Sequence, residues 1–186
     1  MEIGVIISQS GRSNVSHDIT AKTVTFEGGA QFHHVDNYMK QNAPGWVMQS
    51  AMIASIGCTG SHGALGVGWL QRKLGNGIDN IVSVRIVLAD GSVVRASENE
   101  NADLYFAVRG ASPAFGIVTE MTERIHNICD PNQGKEVRVG CFFFDLDAGE
   151  KLWDVISKSK NLYLFAIITF FQNFIFIYHF NETNSG

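Results

Sequence analysis

The chain has 186 residues, room for one ordinary domain or for one domain and part of a second. A formal charge of −4, with 14 Lys and Arg against 18 Asp and Glu and no basic run, excludes a nucleic-acid backbone as the natural partner. Three cysteines, Cys58, Cys129 and Cys141, have no CxxC or metal spacing, so each reads as a free buried thiol rather than as part of a disulfide framework.

Val5, Ile6 and Ile7 read as a strand that the chain enters directly after Met1, and nothing in that start has the basic and long apolar parts of a signal peptide. The compartment is therefore open. A second strand is predicted over 22–26, closed by Gly28 and Gly29. Phe32, Val35 and Met39 then recur at helical spacing over 31–40, ahead of Pro44 and Gly45. The glycine-rich stretch 57–68 reads as loop and tight packing, followed by a short helix over 69–73. Over 81–89, Val82, Val84, Ile86 and Leu88 alternate with Ser83, Arg85 and Val87. Asp90-Gly91 signals a type I′ turn, and 92–97 returns as the partner strand. A helix over 102–109 runs into the small-residue turn Gly110-Ala111-Ser112-Pro113, and a strand follows over 116–124.

Beyond the linker 130–134, read as a domain boundary, a strand is predicted over 136–144 and a helix over 148–160. The stretch 162–180 stands apart, with 15 apolar residues among 19. Its length suits a membrane helix, but Gln172 and Asn173 near its centre and the lack of a basic flank count against one. Translated noncoding sequence and ordinary strands are the other two readings. Strands and helices interleave, so the class is α+β or α/β.

Several chemistries are missing from the sequence. No phosphate loop GxxxxGK, zinc motif HExxH or nucleophile elbow GxSxG occurs, and Gly66-Val67-Gly68-Trp69-Leu70-Gln71 lacks the third glycine of a dinucleotide fingerprint. Adjacent His33 and His34 point about 100° apart on a helix and do not share a metal. Asp145 and Asp147 read as a solvated turn. What is left is the loop Gly57-Cys58-Thr59-Gly60-Ser61-His62-Gly63. Backbone without Cβ atoms admits a flat ring or a diphosphate close enough for N–H groups to donate to it. Tight packing of a turn is the plainer reading of the same glycines, and His62 alone is more often a satisfied loop histidine.

Taken together, the motifs resemble one family. GxGWLxRKxG from Gly66, DNxVSxxxVxADG from Asp79, ENxDLxxAxRG from Glu100 and FGIVTE from Phe115 occur in that order. The run from about Gly4 to Ile128 is similar to the FAD-binding domain of the vanillyl-alcohol oxidase and p-cresol methylhydroxylase (PCMH-type) superfamily, in its berberine-bridge-enzyme-like branch. The resemblance implies an α+β fold. It divides the chain into a partial PCMH-type FAD-binding domain over 1–129, the start of a substrate domain over 130–160, and an atypical apolar tail over 161–186.

It further implies FAD as cofactor, a small-molecule substrate, and an oxidase of alcohols, sugars or related compounds. Gly57, Cys58, Thr59, Gly60, Ser61 and His62 would lie along the isoalloxazine ring. Gly116, Ile117 and Val118 would offer backbone groups to the nucleotide, with the small residues before Gly116 keeping the chain close to it. The departures matter equally. The family's RxGGH diphosphate cradle and flavin-linking histidine would precede Val5, so the chain is read as a fragment expected to hold FAD weakly and to oxidise nothing alone. Ile53 stands where a second, cysteine link would fall, Pro113 stands where a glycine is common, and no catalytic residue is assigned. A catalytically inactive remnant and a membrane-tethered nucleotide-binding module are the alternatives. Members of the family are often secreted.

Overall fold

A computed structural model of the chain describes residues 4–128, 138–144, 163–165 and 175–181. They fall in two compact units, Met1–Asn127 and Ile128–Gly186. The expected helix over 148–160, the linker 130–134, Cys129, Asp145 and Asp147 lie outside the described residues.

The first unit is built on a five-stranded, wholly antiparallel sheet. Its strands are β1 (Val15–Asp18), β2 (Thr23–Glu27), β4 (Ile81–Val87), β5 (Val93–Ser97) and β6 (Ile117–Arg124), in the spatial order β1-β2-β6-β4-β5. Around the sheet run α1 (Phe32–Asn42), α2 (Cys58–His62), α3 (Gln71–Leu74), α4 (Gly77–Asn80) and α5 (Ala102–Ala111). The two-residue strands β3 (Trp46–Val47) and β7 (His126–Asn127) pair with each other.

Alternation explains the buried face. Val24 and Phe26 on β2, Val84 and Ile86 on β4 and Met121 on β6 are all at most 1% exposed, and Phe32, Val35 and Met39 of α1 close over them. Fully burying one such side chain contributes roughly 1.5–3 kcal/mol, so this layer is the main source of stability. The helix expected over 31–40 thus forms one residue later, with Gln31 and His34 capping each other's backbone at its start.

Four expectations need correction. Residues 4–9 belong to no strand, and Val5, Ile6 and Ile7 are 84%, 96% and 60% exposed, because no neighbouring strand runs beside them. The inward set of β4 is Ile81, Ser83, Val84 and Ile86 rather than a clean alternation from Val82; a bulge between Ile81 and Ser83 shifts the phase by one. The hairpin after β4 is not type I′, which needs positive φ at both central residues; only Gly91 has it, at 85°, and the amide of Gly91 donates to Leu88 O. Finally, the stretch read as loop contains α2.

Of the second unit, β8 (Arg138–Phe144), β9 (Tyr163–Phe165) and β10 (Ile175–Asn181) form a three-stranded antiparallel sheet in the order β8-β10-β9. The strand expected over 136–144 is therefore present. The described parts of 162–180 are strand, and among the described residues no helix is long and apolar enough to cross a membrane.

Candidate cofactor-binding site

The candidate residues sit on α2 and on the first residues of β6. α2 starts from Gly57, which bridges to Gln31, and its first amide, Cys58 N–H, donates to Ala30 O at 2.9 Å. The Thr59 hydroxyl donates to Gly28 O at 2.9 Å, and Gly28 N–H in turn donates to Thr119 O on β6 at 2.8 Å. At the far end of α2, Gly63 O accepts from both Gly110 N–H and Ser112 N–H, at 3.2 and 3.3 Å. The chain therefore ties the glycine-rich segment to the start of β6 from two directions, through the turn at Gly28 and through the turn that precedes the strand.

That second turn explains the small residues before β6. α5 breaks at Arg109 and Gly110, where φ of Gly110 is 123°, a value that L side chains rarely adopt. Ser112 is buried with its hydroxyl against Gly63, where any Cβ would collide with it. Pro113 lies in the first turn of the 3-10 segment Ser112–Ala114, where its missing amide is tolerated. Gly116, at φ 154°, approaches β4 so closely that a Cβ there would meet Val87 O.

α2 divides its candidates between two environments. Cys58, Thr59 and His62 are buried, whereas Gly57 and Gly60 are exposed and Ser61 is half-buried. A Cβ built on Gly57 or Gly60 meets nothing within 4 Å, so the backbone there is open to approach. Among the described residues, the Thr59 and Gly60 amides have no acceptor. A flat group with a hydrogen-bonding edge fits such a surface. Burial drives the Cys58 thiol pKa far up, with the Glu123 and Asp36 carboxylates adding to the effect, so the thiol is an inert core group.

Of the candidates, His62 has its side chain turned fully into the core. Its side chain is fully buried, with Nδ1 2.6 Å from Oε1 of an equally buried Glu123 on β6. The imidazole packs against Phe32, with ring centroids 5.0 Å apart, and against Gly66 and Gly77, where any added Cβ would clash with it. No motif in the sequence singles out Glu123. Its one signal is parity, since it lies two residues beyond inward-facing Met121. On β6, Ile117 is half-buried and Val118 buried, and Val118 O accepts a hydrogen bond from Gln9 Nε2 at 3.1 Å. A cavity of about 320 Å³ lies elsewhere, lined by Glu98, Ala102, Tyr105, Phe106, Arg109 and Arg124, and it includes none of the candidates. Among the described residues no group of His, Cys, Asp or Glu is arranged to hold a metal.

Comparison with known proteins decides the family, because the FAD binding domain model matches residues 1–97, more than half of the chain. The chain belongs to the FAD binding domain family. FAD is accordingly its cofactor. The FAD-linked oxidoreductase pgmH of Aspergillus terreus is 42% identical over 123 residues, 66% of this chain and 25% of pgmH. The fold matches the BBE-like 1 protein of Physcomitrella patens with a TM-score of 0.77 at 24% identity, over 95% of this chain and 38% of that one. It matches xylooligosaccharide oxidase of Myceliophthora thermophila with a TM-score of 0.72 at 22% identity, over 95% and 38% of the two chains. At under 25% identity these likenesses show a shared fold. The chain spans about a quarter of the length of the curated family members it matches.

Proposed function

We propose that this chain is the flavin-holding part of an FAD-dependent oxidoreductase that oxidises an alcohol, a sugar or a related small molecule. The observation that carries this reading is the open glycine face of α2, tied beside the start of β6 by the Thr59–Gly28–Thr119 and Gly63–Ser112 contacts. When bound, FAD supplies the redox chemistry, as acceptor of a hydride from a substrate C–H bond.

The remaining work falls to the polypeptide. Gly57 and Gly60 admit a planar ring to backbone distance, while the Thr59 and Gly60 amides donate to its polar edge. The half-buried Ser61 hydroxyl can add a further contact. Cys58 and the His62 side chain support the helix from behind. Backbone groups at Gly116, Ile117 and Val118 face the nucleotide, and a group that donates to Val118 O shares that oxygen with the Gln9 side-chain amide or replaces it. In this reading residues 1–129 are part of a PCMH-type FAD-binding domain, 130–160 open a substrate domain, and 161–186 are an atypical tail. The similarity to xylooligosaccharide oxidase, whose structure holds xylobiose, supports a carbohydrate or another small polyol as substrate.

The test is titration of FAD with the 186-residue chain, followed by quenching of flavin fluorescence. Weak but measurable binding is expected, reduced about tenfold or more by Gly57→Val or Gly60→Val, each of which places a branched side chain where the ring would lie. Affinity unchanged by both substitutions would refute this location.

A further inference from the structure

Behind the open face of α2 lies an ionisable pair cut off from water. His62 and Glu123 are each 0% exposed and their side chains meet at 2.6 Å, across 61 residues of sequence. The second nitrogen of the imidazole, Nε2, and the second carboxylate oxygen, Oε2, have no partner among the described residues. Phe32, Gly66 and Gly77 pack on the imidazole, and the strand neighbours of Glu123 are Val24 on β2 and Ile81 on β4. Cys58 on α2 is the further titratable group within reach of the carboxylate's field. Among the described residues no cation besides His62 acts on Glu123.

An isolated charge in such surroundings is too costly to persist, so the pair has to be electroneutral. Both an imidazolium facing a carboxylate and an imidazole facing a carboxylic acid satisfy this, and both contain one dissociable proton. We propose that His62 and Glu123 form a one-proton positioning pair that clamps α2 onto β6 and so fixes the height of the Gly57 and Gly60 face where FAD is held. The link to FAD rests on the location proposed above for the cofactor; the clamp itself does not.

The pair sits at the point where a clamp is effective. α2 has only five residues, too short to be stable alone, so tertiary contacts must hold it. Its other anchors, at Ala30, Gly28 and Gly110, join it to turns, whereas the His62 contact joins it to a central strand of the sheet. Adding a second proton leaves the pair with net positive charge, and removing the shared proton leaves net negative charge. Both changes weaken the clamp. Burial is the larger influence on Glu123 and raises its pKa against the lowering by His62, so the stability that depends on the shared proton is lost as the pH rises.

The experiment is peptide-resolved amide hydrogen exchange on the 186-residue chain without flavin, from about pH 5 to about pH 9 and corrected for intrinsic exchange rates. β4 and β6 serve as the internal control for global folding. In the wild type, opening of 58–65 is expected to be least in mid-range and to rise about tenfold or more towards both ends. Glu123→Gln keeps a hydrogen-bond partner for His62 but no longer ionises, so it should lose the alkaline rise and retain the acid one. The double variant His62→Leu with Glu123→Leu should show no pH dependence. A wild-type profile without pH dependence, or an alkaline rise that persists in Glu123→Gln, would overturn the inference. FAD titration of the same variants separates the two readings. Exchange that follows the expected pattern while FAD affinity does not change keeps the clamp and removes α2 from the cofactor site.

Discussion

The two faces of α2 obey different physics within five residues. The inner face, Cys58, Thr59 and His62, is closed off, and each side chain there has a defined neighbour, whether Gly28, Glu123 or the core beneath α1. The outer face at Gly57 and Gly60 consists of backbone alone, with empty space where side chains would be. Stability is thus concentrated on one side and access on the other. Glycine leaves the outer side open, and at Gly66 and at Gly77, the first residue of α4, it leaves room for the His62 ring.

The largest effect should come from breaking the inner face. Glu123→Leu leaves a buried imidazole without its partner and is expected to cost about 3 kcal/mol in urea unfolding, whereas the added change His62→Leu should recover part of that loss. Equal losses in the single and double variants would mean that the pair acts only by filling space.

Crowding the same face from outside comes next. Gly77→Ala directs a methyl group into the His62 ring and is expected to cost roughly 1–3 kcal/mol, which a shift in the urea midpoint would report. An unchanged midpoint would show that α4 can retreat, and that the ring is less tightly enclosed than its neighbours suggest.

The smallest effect has the opposite sign. Gly60→Ala adds its methyl group to open space inside a helix, so stability should rise by about 0.5 kcal/mol. FAD affinity should fall in the same variant, because the methyl group lies where the ring would approach. Stability and affinity moving together would remove the distinction between the two faces.

Much of this architecture is legible in the order of the residues. Phe32, Val35 and Met39 announce α1 because a helix returns to the same face every three or four residues, and the apolar residues of 81–97 announce a hairpin because a strand does so every two. The helix–turn–strand order at 102–124 follows from Arg109-Gly110 and the apolar run beyond it. The ordered motifs from Gly66 to Glu120 point to the FAD-binding family, and the family match and the fold agree with them.

Other features depend on distances that a linear pattern does not contain. α2 has too few residues, with one glycine inside it and one at each end, for its own propensity or periodicity to reveal it; backbone acceptors at Ala30 and Gly57 and the Thr59 contact to Gly28 hold it in helical form. The bulge after Ile81 depends on how β4 matches β6, which local alternation does not specify. Val5, Ile6 and Ile7 have the composition of a strand, but a strand exists only where a partner supplies hydrogen bonds. The sequence by itself thus determined the periodic elements, the turns that glycine permits and the family, because those are written in local order. Tertiary structure alone brought His62 to Glu123, and with them separated α2 into a core face and an open one, because burial and pairing arise only when distant segments pack together.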